Sequence, residues 1–254
     1  MIVRETESDL YLITQPDHAV LAAEIMTSWK HNGWPDHPRR DLVETATLHH
    51  DCGWKEVDAS PRTDPVTGMP FSVFNLPLGE RHAVWYRGVE RTAEMDPYIG
   101  ALVAHHAVTV YSRFNEVSEW HRFFQDMREM RKEHLAKSGL DMDTLEADYA
   151  IVALGDRASL VFCFATPESS ILGYDLRLTG AAEAAPDGEL DGGRLVFSPD
   201  GFEGGESEIS VIARQIPKRP FASDEDLAAA LATAPAVRIL GQVSGAVSVP
   251  AEAG

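Results

Sequence analysis

The sequence predicts a mainly α fold, a helical bundle with short N-terminal strands and a small β-rich C-terminal extension. Two observations carry this expectation. Between Pro16 and Cys163 the apolar side chains recur at helical spacing in six successive segments. After Pro167 that periodicity gives way to short β-like runs, Leu195-Val196-Phe197 and Ile209-Ser210-Val211-Ile212, separated by Gly- and Asp-rich turns. The expected division is a helical domain over 1–167 and a β-rich extension over 168–254 packed on it. No internal repeat is present.

The elements follow in order. Leu10, Tyr11, Leu12 and Ile13 form the apolar run of one or two strands within residues 1–15. Pro16 opens the first helix, because proline is tolerated in the first turn. Its stripe is His18, Leu21, Ala22, Ile25 and Trp29, and Asn32-Gly33 ends it. A second helix starts near Asp41, with Glu44 completing a capping box. It runs through Val43, Ala46, Thr47 and His50 and stops at Gly53. Four prolines mark 54–79 as a long loop, and loops of that length are usually ordered around a function. A third helix, about 80–95, carries His82, Trp85, Tyr86, Val89 and Ala93. Asp96-Pro97 starts a fourth, with Ile99, Leu102, Val103, His106 and Val110. The fifth, about 116–137, is charged outside and ends at Gly139. The sixth begins near Asp143, capped with Glu146, and its stripe is Tyr149, Val152, Ala153, Asp156, Leu160 and Cys163. A short helix at about 224–232 and a small-residue tail close the chain.

The 254 residues hold 40 Asp+Glu against 22 Lys+Arg, a formal net charge of −18. A nucleic-acid backbone demands a basic face, so nucleic acid is excluded as a bulk partner. A small anionic substrate is not excluded, since a local site can be positive. Eight acids against one base, Arg194, fall within 183–208, so much of the charge is local solvated surface. No apolar run approaches the ~20 residues of a membrane helix. Met1-Ile2-Val3-Arg4-Glu5 lacks a secretory signal pattern, and Cys52 and Cys163 are too few for a disulfide framework. The expected compartment is the cytoplasm. There is no Gly-x-Gly-x-x-Gly, no phosphate-loop lysine motif and no Gly-x-Ser-x-Gly elbow. Cys52 reads as a small buried apolar residue.

Five helices each place a His or Asp on an otherwise apolar stripe: His18, His50, His82, His106 and Asp156, with Asp51 beside His50. Singly, each is a core histidine or a capping aspartate. Together they are costly to bury unless they satisfy one another or share an ion. A metal is the economical solution, because imidazoles and carboxylates are metal ligands. Four histidines and two aspartates exceed one ion with an open position and suit two ions bridged by a carboxylate. Of the adjacent pair His105 and His106, His106 fits the stripe better, while His105 aligns with Tyr98, Ala101 and Leu102 almost as well. His49 then reads as supporting or structural. His31, His37, His121 and His134 read as solvated, and Gln15 and Asp17 as capping residues or, alternatively, as groups that orient the His18 ring.

The segment Leu48-His49-His50-Asp51-Cys52-Gly53 resembles the His-Asp doublet of the HD-domain superfamily of metal-dependent enzymes. The superfamily order is an upstream His, the doublet, middle histidines and a distant Asp. Here that order is His18, His50-Asp51, His82, His106, Asp156, the last within Leu154-Gly155-Asp156-Arg157. Middle histidines mark the dinuclear branch. The resemblance covers roughly residues 15–165. His50-Asp51-Cys52-Gly53-Trp54 and Asp96-Pro97-Tyr98 are also similar to an uncharacterised bacterial family within the superfamily.

The resemblance implies an HD helical bundle with one metal on His18, His50, Asp51 and Asp156. A second metal would take His82, His106 and the other oxygen of Asp51. Fe or Mn are the expected ions, with Zn, Ni or Mg as alternatives. Asp51, Lys55 and His105 are the expected catalytic residues. The family's doublet is followed by an apolar residue, Gly and Lys; here Trp54 intervenes and displaces Lys55 by one. The glycine-tyrosine-proline motif of the cyclic-di-GMP phosphodiesterase branch is absent after His106, so that activity is rejected.

The expected function is a metal-dependent phosphohydrolase of a small phosphorylated molecule, with Arg81, Lys55 and Arg113 as the nearest cations by sequence. The alternative is an HD-type di-iron oxygenase acting on a small polar substrate with dioxygen, since the ligand types suit either chemistry. A third reading, a degenerate binding or regulatory module, predicts missing ligands, and none of the six is missing. The expected partner is a small, anionic molecule; no membrane partner is expected, and homo-oligomerisation is left open.

Overall fold

The computed structural model describes residues 1–182 and 188–246. Residues 183–187, at the start of the acidic stretch, and 247–254, in the small-residue tail, lie outside the described residues. The helices are α1 (Gln15–Thr27), α2 (Arg40–His49), α3 (Lys55–Ala59), α4 (Leu78–Met95), α5 (Pro97–Val110), α6 (Ser118–Ser138), α7 (Met142–Phe164) and α8 (Asp224–Thr233). The strands are β1 (Ile2–Glu5), β2 (Asp9–Ile13), β3 (Glu168–Ile171), β4 (Tyr174–Thr179), β5 (Glu189–Ser198), β6 (Glu206–Pro217) and β7 (Ala236–Gly245). Among the described residues no helix is long and apolar enough to cross a membrane.

The strands correct the expected fold class. They form one seven-stranded sheet, ordered β1-β2-β6-β7-β5-β4-β3, that curls into a half-barrel. Every pairing is antiparallel except β5–β7. The protein is therefore neither mainly α with a small extension nor all-α, since 22% of it is strand against 52% helix. The N-terminal hairpin is not separate from the C-terminal strands: β2 pairs with β6, with Leu10 opposite Ile216 and Leu12 opposite Arg214.

Burial on both faces explains why β2 reads as an unbroken apolar run rather than an alternating one. Tyr11 and Ile13 face the main core with Leu21, Ile25, Val161 and Phe162. Leu10 and Leu12 face the other side, where Ile216, Phe221 and Leu227 of α8 cover them. On the main-core face α7 lies close against β5 and β7. A Cβ at Gly192 or Gly241 would fall 2.3 or 2.4 Å from the Phe162 ring. Those glycines are spaces for a ring, not turns. Helices α4, α5 and α6 gather a second cluster around Trp85, Val103, Trp120 and Phe123.

The helix starts also differ in detail. Arg39, not a capping box, precedes α2; Asp41 lies inside its first turn, and Glu44 is taken by Arg40 at 2.7 Å. The cap of α7 is Asp141, accepting from Thr144 N, rather than Asp143. Asp96 caps α5 by accepting from Tyr98 N, and α6 ends with Gly139 in the left-handed region.

Candidate metal centre

Four elements bring the site together. Thr14 caps α1 by accepting from Asp17 N, which fixes the first turn and sets Gln15 and His18 on one side. His50 caps the end of α2: its Nδ1 donates to Thr47 O at 2.7 Å. Asp51 follows as the chain leaves the helix, and α5 contributes His106. From α7 comes Asp156. Gly155 lets α7 approach α1 closely, since a Cβ there would lie 2.9 Å from Met26 Cγ and 3.0 Å from Ala22 O.

His18, His50, Asp51, His106 and Asp156 are all buried. Two overlapping groups have ligand atoms within 4.8 Å of one another: His18, His50 and Asp51, and His50, His106 and Asp156. His18 Nε2 lies 2.9 Å from Asp51 Oδ2, and His50 Nε2 lies 3.5 Å from both Asp51 Oδ2 and Asp156 Oδ1. The rings of His18 and His106 meet that of His50 near perpendicular, at 5.0 and 4.9 Å.

The hydrogen bonds assign the ring protons. Thr47 O can only accept, so His50 Nδ1 carries the hydrogen, and Nε2 of the neutral ring is bare. That Nε2 is buried without a hydrogen-bond partner. Ser159 Oγ donates to Asp156 O at 2.9 Å and therefore accepts from His18 Nδ1 at 2.8 Å. The Nε2 of a neutral His18 is then bare too. Two lone pairs converge on two carboxylates, an arrangement that repels itself unless a positive charge stands among them.

The electrostatics agree. Burial pulls the His50 imidazole down, but Asp51 and Asp156 outweigh it and raise its pKa to about 9. Burial would raise the Asp156 carboxyl, but His50, His106 and His18 hold it well below the usual carboxylate range. Asp51 is lowered against burial by His50 and His18. Burial lowers His106 to about 4, which keeps it neutral. A proton on His50 is one way to supply the missing charge. A divalent ion is the other, and the donor set of imidazole and carboxylate fits one.

The donors are themselves held. Gln15 Nε2 donates to Asp51 Oδ2 at 3.0 Å, and His106 Nδ1 is 2.9 Å from Tyr149 OH. The sequence marks Gln15 as a cap or an orienter of His18, not of Asp51, and does not mark Ser159 or Tyr149 as partners of the rings. Gln15 sits three residues before His18 and Ser159 three after Asp156, spacings that place each pair on one helix face.

Asp51, His106 and Asp156 open onto a cavity of about 310 Å³. Arg81, Arg113 and Arg157 line it, with Trp54, Phe74, Trp85, Tyr111 and Phe164. Arg157, next to Asp156, was not singled out by the sequence.

Three expected site residues lie elsewhere. His82 stacks on Phe123 at 4.6 Å and meets Trp120 edge-on at 4.7 Å, and it belongs to neither ligand group. Its stripe faces the α6 cluster instead. Lys55 lines a different cleft of about 940 Å³ with His49 and Cys52. His105 packs on Tyr149, with its Nδ1 3.1 Å from Arg131 Nη1.

A family model matches residues 1–218, and its description reads "Protein of unknown function (DUF3891)". No curated protein and no solved structure matches the chain. This match and the seven-stranded sheet overturn the resemblance to the HD-domain superfamily and to an HD-like bacterial family within it. The doublet misled for a physical reason. A His that caps its own helix end, followed by an Asp leaving the helix, is a local way to aim two ligands at one point, whatever fold surrounds it.

Proposed function

We propose that this chain, which belongs to the DUF3891 family of proteins of unknown function, is a metal-dependent phosphohydrolase of a small phosphorylated substrate. The observation that carries the reading is the convergence of the His18 and His50 Nε2 atoms on Asp51 and Asp156, the two carboxylates lining a cavity with three arginines.

His18, His50, Asp51, His106 and Asp156 would hold the metal. The geometry favours one ion over the expected pair, because His50 has a single free nitrogen and belongs to both groups, while His82 stands apart. A divalent ion held there supplies Lewis acidity toward a phosphoryl oxygen and acidifies water. The chain does the rest. Ser159, Thr47 and Tyr149 fix the three imidazoles, and Gln15 fixes Asp51, so the donors are oriented before substrate arrives. Arg81, Arg113 and Arg157 offer fork-shaped donors to phosphoryl oxygens, and the aromatic walls exclude water. Three arginines on one small cavity suit an anionic, phosphoryl-bearing substrate.

The test is metal analysis with a phosphomonoester panel. About one equivalent of metal, and phosphate release abolished in His50→Ala, is the expected result. Protein that retains no Mn, Fe or Zn after loading, or that releases no phosphate when loaded, overturns the reading.

A further inference from the structure

The cavity carries polar groups at the ligand cluster and beyond it, Arg113, Thr166 and Ser169 among them, together with five aromatic rings. Asp51, His106 and Asp156 face it, as does Arg81. Apolar surface begins directly beside a metal donor: the Trp85 ring is 5.5 Å from His106, and Tyr111 is 5.9 Å from Trp85. Phe74 and Phe164 form a second aromatic pair on the cavity, stacked at 5.4 Å with 28° between their planes. Phe74 comes from the loop between α3 and α4, while Phe164 is the last residue of α7.

Phe74 is 63% exposed, so its ring is accessible to a ligand in the cavity that it lines. Its loop is nonetheless held. Arg81 Nη2 donates to Phe74 O at 2.9 Å and to Leu76 O at 2.7 Å. Ser72 N and Oγ both donate to Asn75 Oδ1, at 2.7 and 3.0 Å. One guanidinium therefore ties the loop that presents the ring to the cationic wall of the cavity.

From this arrangement we propose that the cavity selects phosphoryl compounds whose organic group is a flat apolar ring, and that Phe74 is a specificity-determining residue. The proposal rests on the phosphohydrolase reading of the same site. The phosphoryl group lies toward the ligand cluster and Arg81, and the ring lies against Phe74 and Phe164, where aromatic contacts favour offset or edge-on packing. A volume of about 310 Å³ stands at the low end of small-molecule sites, which suits a single ring with its phosphoryl group. A polyol phosphate would forgo ring packing on Phe74 and Phe164.

Calorimetric titration of the zinc-loaded, full-length protein tests this with phenylphosphonate and methylphosphonate, which resist hydrolysis. Phenylphosphonate is expected to bind about tenfold more tightly. Phe74→Ala is expected to erase most of that difference, and Phe74→Tyr to keep it, with circular dichroism unchanged in both. Equal affinities, binding of neither, or a preference untouched in Phe74→Ala overturns the proposal. Parallel phosphate assays separate the two readings. A phenyl preference without phosphate release from any monoester sinks the hydrolase reading and upholds the selectivity. Phosphate release from glycerol phosphate and phenyl phosphate, with equal phosphonate affinities, does the reverse.

Discussion

His18 Nε2 stands 2.9 Å from Asp51 Oδ2, while the ring's other nitrogen is committed to Ser159. A proton or a divalent ion between the two groups makes the contact favourable, and the ion would serve Asp156 as well. Metal should therefore stabilise the fold by mass action. At a free concentration about 100 times its Kd, the gain is about 2.7 kcal/mol. For a chain of this size that corresponds to a rise in Tm of roughly 5–10 °C. Differential scanning fluorimetry with Mn, Fe or Zn, then with excess chelator, measures it. A Tm indifferent to both would count against a metal centre.

His50 and His82 should separate cleanly. His50→Ala removes the one donor common to both ligand groups, so bound metal should fall by at least tenfold, the range seen when a ligand's environment is disrupted. His82→Ala should leave metal content intact and lower stability by about 1–2 kcal/mol through lost ring packing on Phe123 and Trp120. Metal analysis paired with urea unfolding reads both. Metal lost from His82→Ala would restore the ligand role that its sequence position suggested.

The site was more legible than the fold because its signal is local. His18, His106 and Asp156 each break the apolar stripe of their own helix, and His50-Asp51 marks a helix end. The sheet has no such local mark. Leu10 finds its partner Ile216 across some two hundred residues, and nothing in either run names the other. Gly192 and Gly241 sit within strands because Phe162 needs the room, a long-range reason that no local run announces. His82 shows the limit of the stripe argument: periodicity says that a residue faces a core, not which of two cores.

Asp148, buried to 1%, accepts from Arg39 Nε at 2.6 Å, Arg39 Nη2 at 2.9 Å and Tyr98 OH at 2.7 Å, with His37 Nε2 at 3.3 Å. Three side chains from two segments thus meet one carboxylate on a third. Removing it leaves the Arg39 charge partly buried and unpaired, so Asp148→Ala should cost about 3–5 kcal/mol. Asp148 and Asp156 are separated by roughly 12 Å along α7. Metal stoichiometry in the folded variant should therefore be unchanged. Chemical denaturation with metal analysis checks the pair of expectations, and a loss below 1 kcal/mol would show that the cluster is not a structural clamp.

Neither cysteine should react in the folded protein. Burial pushes the Cys52 thiol up to about 11, against a smaller opposing pull from Arg91, and burial raises Cys163 further still. The thiolate is the reactive form, and at pH 8 a rise from the ordinary value to about 11 cuts its fraction by about a hundredfold. Iodoacetamide at pH 8 should accordingly label native Cys52 about a hundred times more slowly than a free thiol, even though its side chain borders the larger cleft. The raised thiol also bears on stability. An unfolded chain ionises these thiols above about pH 9 while the folded chain keeps them protonated, so folding weakens as pH climbs through that range. Mass spectrometry after timed alkylation, in native buffer and in urea, gives the ratio directly. Rapid native labelling at Cys52 would mean that the thiol is ionised and exposed, and would reopen a nucleophilic role for it.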